Sequence, residues 1–176
     1  MRLLDTPVCD PYLMGEKPVV VIKVSGFDNP IKIELDPKAA PITVSYFLTL
    51  VNQGFYTRTK FHRVVPGFLA QGGDPTGTGD GETDCYVKGE FAANGVNNPL
   101  THEPGTISLA RQEGYDTASC QFFLLANEVS FMDGEYAAFG HAIEGLDVIE
   151  EMCIQDTNPD ESPVTPLVME QVYVER

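Results

Sequence analysis

The chain has 176 residues, a length typical of one domain built around a single hydrophobic core. Its 43% hydrophobic and 21% charged residues lie close to the globular average, which argues against a disordered or fibrous protein. Acidic residues outnumber basic ones 26 to 11, and the resulting net charge of −15 repels phosphate backbones and anionic lipids. Neither nucleic acid nor a membrane is therefore expected as a partner.

The sequence also predicts a cellular compartment. No apolar run approaches the roughly 18 residues that a membrane span needs. Two aspartates and two prolines interrupt the first seventeen residues, so this stretch lacks the apolar centre of a signal peptide. The cysteines are scattered without a Cys-x-x-Cys pair, which is typical of reduced thiols. A cytoplasmic location is expected. The four cysteines are Cys9, Cys85, Cys120 and Cys153.

The first predicted elements form a hairpin. Val19–Val24 is a β-branched apolar run, and Ile31–Leu35 alternates apolar and polar residues with the period of a half-buried strand. Gly, Asp, Asn and Pro lie between the two runs and favour a turn. The two runs are therefore predicted to pair, with Ile31, Ile33 and Leu35 facing inward.

A helix is predicted next. Over residues 42–52 the apolar residues recur at spacings of three and four, as on an amphipathic helix. Pro41 suits its first turn, where the missing N–H is least costly, and Gly54 suits its end.

Short apolar segments follow, separated by glycine-rich loops, and this spacing favours an all-β barrel or sandwich. Residues 146–152 predict a second short helix after Gly145, and residues 167–174 alternate again and are expected to close the sheet. About eight strands and two helices are thus predicted in one domain, residues 18–176, after an extension, residues 1–17, in which no element is predicted. The intervening segments are 61–65, 68–71, 106–110, 121–126 and 137–142.

Several familiar sites can be set aside. The glycine-rich stretch 72–81 lacks the Lys-Ser/Thr of a P-loop, misses the Rossmann spacing and is followed by no helical pattern, so it predicts a flexible loop. It also fails as a calcium loop, since Thr76 and Thr78 replace acidic ligands and Cys85 replaces a glutamate. The three histidines match neither zinc-site spacing nor a serine-hydrolase elbow. No metal or cofactor is expected.

The motif over residues 61–74, Phe-His-Arg-Val-Val-Pro-Gly-Phe-Leu-Ala-Gln-Gly-Gly-Asp, is different in kind. It interleaves an arginine and a glutamine with apolar residues on two predicted strands. Arg63 and Val65 share one strand face, and Leu69 and Gln71 share another. Taken alone, the pattern leaves open that Arg63 is an ordinary solvated residue.

Together with three further motifs, this stretch resembles the cyclophilin family. The motifs are Ser-Cys-Gln-Phe-Phe at 119–123, Phe-Met-Asp-Gly at 131–134 and Phe-Gly at 139–140, in the family's order and separations. The similarity runs from about Val19 to the carboxyl terminus. It implies a mainly β fold, a closed eight-stranded antiparallel barrel capped by two helices, with the active site on the outer face of one sheet.

The resemblance also implies a function. Such a protein is a peptidyl-prolyl cis/trans isomerase that acts on Pro-containing peptides and on unfolded or folding proteins, and a monomer is expected. Arg63 corresponds to the family's catalytic arginine. The substrate-binding positions that the resemblance implies are Phe68, Leu69, Gln71, Ala110, Arg111, Gln121, Phe123, Phe131, Met132 and Tyr136.

Some of these positions depart from common family members. Leu69 replaces a methionine of similar volume, and Arg111 replaces an asparagine where the contact to substrate is expected through the main chain. Phe131 replaces a tryptophan and Tyr136 a histidine, and both changes resemble bacterial cyclophilins. Because Phe131 lacks an indole N–H, only weak cyclosporin binding is expected.

Two other readings stay open. One is a binding module or chaperone that holds Pro-containing segments without catalysis, for which loss of the arginine would be the mark. The presence of Arg63, Phe68, Gln71 and Phe123 favours the isomerase. The other is an unrelated acidic β-barrel that binds small ligands.

Overall fold

The computed structural model describes residues 1–12 and 14–176. Of the predicted extension, residue 13 lies outside this described part. Two helices and ten strands are found in it, with short 3-10 turns at Ala92–Asn94 and Ser130–Met132. The strands are β1 (Arg2–Leu4), β2 (Val19–Val24), β3 (Ile31–Leu35), β4 (Arg63–Val65), β5 (Leu69–Gly72), β6 (Cys85–Val87), β7 (Thr106–Leu109), β8 (Phe122–Leu125), β9 (Ala138–Glu144) and β10 (Met169–Val174), and the helices are α1 (Pro41–Asn52) and α2 (Leu146–Met152).

Eight of the strands form one antiparallel sheet in the order β10-β2-β3-β9-β7-β8-β5-β4. The remaining two, β1 and β6, form a separate parallel pair. The prediction of a mainly β fold with two helices is confirmed. The finer prediction of a closed barrel is not, because β4 and β10 stand at the two ends of the strand order without pairing along their length.

The predicted hairpin is confirmed as β2 and β3, which pair antiparallel with Val21 opposite Lys32. The three apolar residues of β3 are fully buried, as their alternation predicts. The helix predicted over 42–52 is α1, with Pro41 in its first turn. The local patterns therefore identify these elements to within a residue or two.

Helix α1 lacks a capping side chain at its own N-cap residue. The buried carboxylate of Glu90 takes this role: it accepts hydrogen bonds from the backbone N–H groups of Ile42 and Thr43, at 3.1 and 2.6 Å. Burial raises the pKa of Glu90, and the bonds from Thr43 and Ile42 oppose that rise. A residue distant in sequence thus satisfies donors that would otherwise be unpaired at the helix start.

The sheet separates two apolar clusters. Ala70 of β5 and Leu124 of β8 belong to the main core, whereas Leu69 and Phe123 belong to a smaller cluster that also includes Leu125. Successive side chains of a strand point to opposite faces, so Leu69 and Phe123 lie on the outer face of the sheet. This outer cluster contains two of the predicted pocket residues, Leu69 and Phe123.

All four cysteines are free thiols, as predicted. No helix of residues 1–12 or 14–176 combines the length and the apolar character needed to cross a membrane.

Candidate active site

The outer face of β4, β5 and β8 brings predicted site residues into one row. Arg63 lies opposite Gln71 in the pairing of β4 with β5, and Gln71 lies opposite Phe123 in the pairing of β5 with β8. Directly opposed residues of neighbouring strands have their side chains within contact distance on the same face. Strand register alone therefore carries the arginine, the amide and the aromatic ring from three sequence segments into one site.

The polar side chains of this row form a continuous hydrogen-bonded chain. Arg63 Nη1 donates to Gln71 Oε1 at 3.2 Å, and Gln71 Nε2 donates to Gln121 Oε1 at 2.9 Å. Gln121 Nε2 in turn donates to the main-chain carbonyls of Gly79 and Gly81, at 2.9 and 2.8 Å. Because a guanidinium only donates, it orients both amides along the chain.

Glu161 holds the other side of the guanidinium. Its Oε1 accepts from Arg63 Nε at 3.1 Å, and its backbone carbonyl accepts from the N–H of Val64 at 2.8 Å. The Arg63 side chain remains 44% exposed, so this ion pair contributes little to stability and serves mainly to orient the group. The guanidinium is thus fixed on two sides and open to solvent on the rest.

The apolar pocket lies beside this chain. Leu69 and Phe123 are buried in the outer cluster, and Met132, Tyr136 and Ala110 pack against it. The rings of Phe123 and Tyr136 meet edge to face, with centroids 5.9 Å apart. The structure therefore brings these five predicted residues together in one pocket.

His102 supports the pocket through its contact with Phe123. Its ring stacks on Phe123 with centroids 6.3 Å apart. Its Nδ1 lies 2.9 Å from Asp133 Oδ1, and its Nε2 lies 2.9 Å from Ser108 Oγ. Burial lowers the pKa of His102 although Asp133 opposes the shift. A neutral ring with its proton on Nδ1 satisfies both contacts, because it donates to the carboxylate and accepts from the hydroxyl. These contacts give His102 a structural role beneath Phe123.

The side chain of Arg111 is held by aromatic rings and main-chain carbonyls beside the cavity. Its guanidinium lies over three aromatic rings, at 4.6 Å from the centroid of Tyr136 and 5.3 Å from those of Phe91 and Tyr115. It also donates to the main-chain carbonyl of Glu135 at 3.0 Å. Only 12% of the side chain is exposed. Arg111 therefore supports the pocket wall through its contact with Tyr136.

A cavity of about 440 Å³ adjoins the polar chain. Gln71 and Gln121 line one side, and the carboxyl-bearing residues Asp80 and Glu82 line another. Asp74 holds the loop that forms this wall, since its carboxylate accepts from the backbone N–H groups of Thr76, Gly79 and Gly81. Burial acts to raise the pKa of Asp74, but these bonds outweigh it, so its pKa lies below the ordinary value.

The glycine-rich loop over 72–81 is present as predicted, but the Asp74 bonds fix its path. Gly73 begins it with a φ of +90°, and an added Cβ would lie 2.7 Å from the carbonyl oxygen of Cys120. Glycine is therefore required at this position by both backbone conformation and space.

Two predicted residues lie outside the packed pocket. Phe68 is exposed, and Phe131, in the 3-10 turn Ser130–Met132, is 75% exposed. Large apolar groups in water near a pocket are available to a ligand. No group of three or more His, Cys, Asp or Glu side chains that could hold a metal ion occurs among the described residues.

Comparison with known proteins identifies the family. The sequence pattern of the family described as cyclophilin type peptidyl-prolyl cis-trans isomerase/CLD matches residues 19–174. The chain belongs to this family. The resemblance stated from the motifs is therefore confirmed.

Curated relatives include bacterial cyclophilins. Peptidyl-prolyl cis-trans isomerase B of Bacillus subtilis is 43% identical over 124 residues, covering 70% of this chain and 83% of that relative. A peptidyl-prolyl cis-trans isomerase of Helicobacter pylori is 44% identical over 124 residues, covering 69% and 73%.

A solved structure is also similar. The cyclophilin type peptidyl-prolyl cis-trans isomerase of Cryptosporidium parvum, crystallised in the presence of the dipeptide Ala-Pro, has a TM-score of 0.82 and 27% identity, covering 90% of this chain and 99% of that one.

Sequence reasoning missed the residues that support the site of this cyclophilin. Glu161 and Ser108 lie in no quoted motif and reach the site from distant segments, and Asp133 lies in the quoted motif over 131–134 without a role having been predicted for it. Asp74 ends the recognised motif, yet its role in holding the loop could have been suspected only from its position before a run of glycines.

Proposed function

We propose that this cyclophilin accelerates rotation about X–Pro peptide bonds in peptides and in folding proteins, with Arg63 as the catalytic residue. The observation that carries the proposal is the placement of the Arg63 guanidinium. It is held by Gln71 and Glu161, and Gln71 lies opposite Phe123 of the outer apolar cluster.

The reaction explains why such a site needs no acid, base or cofactor. Resonance gives the peptide C–N bond partial double character and a rotational barrier of about 18–20 kcal/mol. At the twisted transition state the proline nitrogen becomes pyramidal and its lone pair is released. A hydrogen-bond donor beside that nitrogen stabilises the twisted state more than the planar ground state, which is the condition for catalysis. A guanidinium is always charged and always a donor.

The remaining side chains divide the binding of the peptide. Leu69, Phe123 and Met132 would hold the proline ring, with Phe68 and Tyr136 at the edge of the pocket. Gln71 and Gln121 would hold a substrate carbonyl, as would the main chain of Ala110 and Arg111. Because the proline ring is fixed in the pocket, only the part of the peptide on the other side of the X–Pro bond is free to rotate. The Ala-Pro dipeptide named with the Cryptosporidium parvum structure supports a Pro-containing ligand.

Several finer properties are part of the same proposal. The isomerase domain comprises residues 18–176, and residues 1–17 precede it as an extension. The protein acts as a monomer in the cytoplasm, where it assists the folding of many different proteins, as a chaperone does. It binds cyclosporin weakly through Phe131.

Closure of the barrel is also proposed. The N–H of Phe61 donates to the carbonyl of Leu167 at 2.9 Å, and the N–H of Met169 donates to the carbonyl of Thr59 at 2.8 Å. These bonds join the segment before β4 to the start of β10. Slow hydrogen exchange at Phe61 and Met169 would support a closed barrel.

The decisive experiment removes the guanidinium. Arg63→Ala should lower kcat for a Pro-containing peptide by about 10²-fold or more, because a charge-assisted hydrogen bond is worth about 1.5–3 kcal/mol and more in a shielded site. Arg63→Lys should restore little of this, since an ammonium lacks the planar fork that bonds Gln71 and Glu161 together. Exchange is measured by NMR, with peptide affinity measured alongside.

Arg58→Ala is the matched control, because Arg58 is an exposed arginine outside the site and its loss should leave turnover unchanged. Near-normal isomerisation by a folded Arg63→Ala protein would contradict the proposed role. A loss confined to affinity would favour the non-catalytic binding module.

A further inference from the structure

The parallel pair of β1 and β6 joins the amino-terminal segment to the domain. Arg2 lies opposite Cys85 and Leu4 opposite Val87. Two backbone hydrogen bonds extend the pairing, from the N–H of Arg2 to the carbonyl of Asp84 at 3.0 Å and from the N–H of Lys88 to the carbonyl of Leu4 at 2.9 Å. The segment is therefore a strand of the fold rather than a free tail.

Leu4 anchors this strand. Its side chain is 3% exposed and belongs to the main core cluster together with Val87, whereas its neighbour Leu3 is 46% exposed. Further along, the N–H of Val8 donates to the hydroxyl of Ser45 on α1 at 3.1 Å. The segment is thus attached at two points, one on β6 and one on α1.

The strand that it holds, β6, follows directly on the wall of the active-site groove. Between the two lies Thr83, whose N–H donates to Ser119 Oγ at 2.9 Å. Just before it, the carbonyls of Gly79 and Gly81 accept the hydrogen bonds of Gln121. Gly79, Gly81 and Ser119 all line the 440 Å³ cavity. The wall that carries these acceptors is thus held by Asp74 at Gly79 and Gly81, and its other end continues through Thr83 into β6.

Besides β1, strand β6 contacts the main core through Val87 and Cys85, and the hydroxyl of Tyr46 on α1 lies 2.7 Å from Thr83 Oγ1 just before it. On its other side it makes one isolated bridge, in which the N–H of Val87 donates to the carbonyl of Ala118 at 2.7 Å. A strand of three residues with a single bridge has little cooperative pairing of its own. Without β1, the wall over residues 79–88 would lose its only paired strand among those described.

We propose that the amino-terminal segment, residues 1–12, is a positioning element of the active site, in which Leu4 secures β6 and thereby the wall that orients Gln121 and, through it, Gln71. This inference rests on the proposed function for its kinetic consequence. Release of the strand should loosen the groove wall, so that substrate binds less well while the catalytic arginine, held independently by Glu161, keeps much of its effect.

The test uses full-length variants. Leu4→Asp places a charge in the core and should detach β1. Leu4→Ala removes apolar contact without adding a charge and should weaken the attachment of β1 to a smaller extent. In both, amide hydrogen exchange should accelerate at Gly79, Gly81, Thr83 and Val87. For a Pro-containing peptide, kcat/KM should fall by roughly tenfold, mainly through a higher KM, within the range that a small misplacement at an active site costs.

Two controls isolate the effect. Leu3→Asp adds the same charge one residue away on the exposed side of β1 and should change neither exchange nor KM. Val148→Ala removes buried apolar volume from α2 and should lower the melting temperature without changing KM. The proposal is overturned if Leu4→Ala behaves like Leu3→Asp, or if exchange accelerates while KM stays constant.

A separate readout keeps this result distinct from the proposed function. The affinity for the dipeptide Ala-Pro, followed by NMR titration, should weaken in the Leu4 variants in the same order as KM rises. If the unmodified protein proved inactive, the proposed function would fail, and unchanged dipeptide affinity in the Leu4 variants would then overturn the positioning role on its own evidence.

Discussion

The two halves of the groove are held in place by different forces. On the polar side, Arg63, Gln71 and Gln121 are exposed or half buried, and hydrogen bonds alone fix their directions. On the apolar side, Leu69 and Phe123 are buried, and close packing fixes them. Leu69 and Gln71 both lie on β5, and Gln121 directly precedes β8, which carries Phe123, so the two halves share neighbouring backbone and differ in their side chains.

Because the two halves are held differently, substitutions in them should affect activity and stability to different extents. Exposed hydrogen-bonded groups contribute little net free energy of folding, because water replaces each lost partner. Buried apolar groups contribute through area and packing that water cannot replace. Arg63→Ala should therefore leave the free energy of unfolding almost unchanged, whereas substitutions in the pocket should lower both stability and activity.

The largest expected effect on stability is at Phe123. Phe123→Ala should lower the free energy of unfolding by about 3–5 kcal/mol, since it leaves a cavity between Leu69, Tyr136 and His102. Urea denaturation measures the change. Arg63→Ala in the same titration provides the comparison, and equal losses from the two variants would contradict the division between the halves.

Arg111 sharpens the comparison because it is a charged group held by aromatic packing. Arg111→Ala should cost about 1–2 kcal/mol of stability, from the loss of cation–π contacts that are largely shielded from water. KM should rise as well, because Tyr136 loses its support. Thermal melting and peptide kinetics measure both. If Arg111→Ala kept a normal KM, Arg111 would contribute to stability and not to substrate binding.

A substitution at Phe131 should change inhibitor binding much more than peptide turnover. Phe131→Trp adds an indole N–H to an exposed ring, and one hydrogen bond of about 0.5–1.5 kcal/mol should tighten cyclosporin inhibition by about tenfold. Turnover of a peptide should change far less, because other side chains form the pocket. An unchanged inhibition constant would show that the position is wrongly assigned.

The smallest expected effect concerns pH. Burial lowers the pKa of His102 in the folded state, while the unfolded chain takes up a proton near the ordinary value of about 6.5. The unfolded state therefore binds more protons as pH falls through that value, and stability declines towards the lower folded-state pKa. Burial also lowers the pKa of His62, which acts in the same direction.

Melting temperatures at about pH 7.5 and about pH 5 test this expectation. The fall on acidification should be smaller in His102→Asn than in the unmodified protein. An equal fall in both would assign the pH dependence to other groups, His62 first among them.

The sequence by itself determined much of the framework. The alternation of β3 and the three-and-four spacing of α1 are local patterns, and a local pattern is visible wherever an element has one buried face. The motif over 61–74 likewise placed Arg63 and Gln71 on adjacent strands, and the resemblance that it carried identified the family. The pocket residues came from that resemblance and not from periodicity.

Only the tertiary structure decided how the site is supported. Glu161 reaches Arg63 from 98 positions away, and Asp133 fixes His102 from 31 positions away, separations that leave no periodic trace in the sequence. The strand β1 is three residues long, too short for an alternation to be recognised, and its pairing with β6 depends on where the chain returns. Contacts between distant segments are set by the packing of the whole chain, and that packing exists only in the fold.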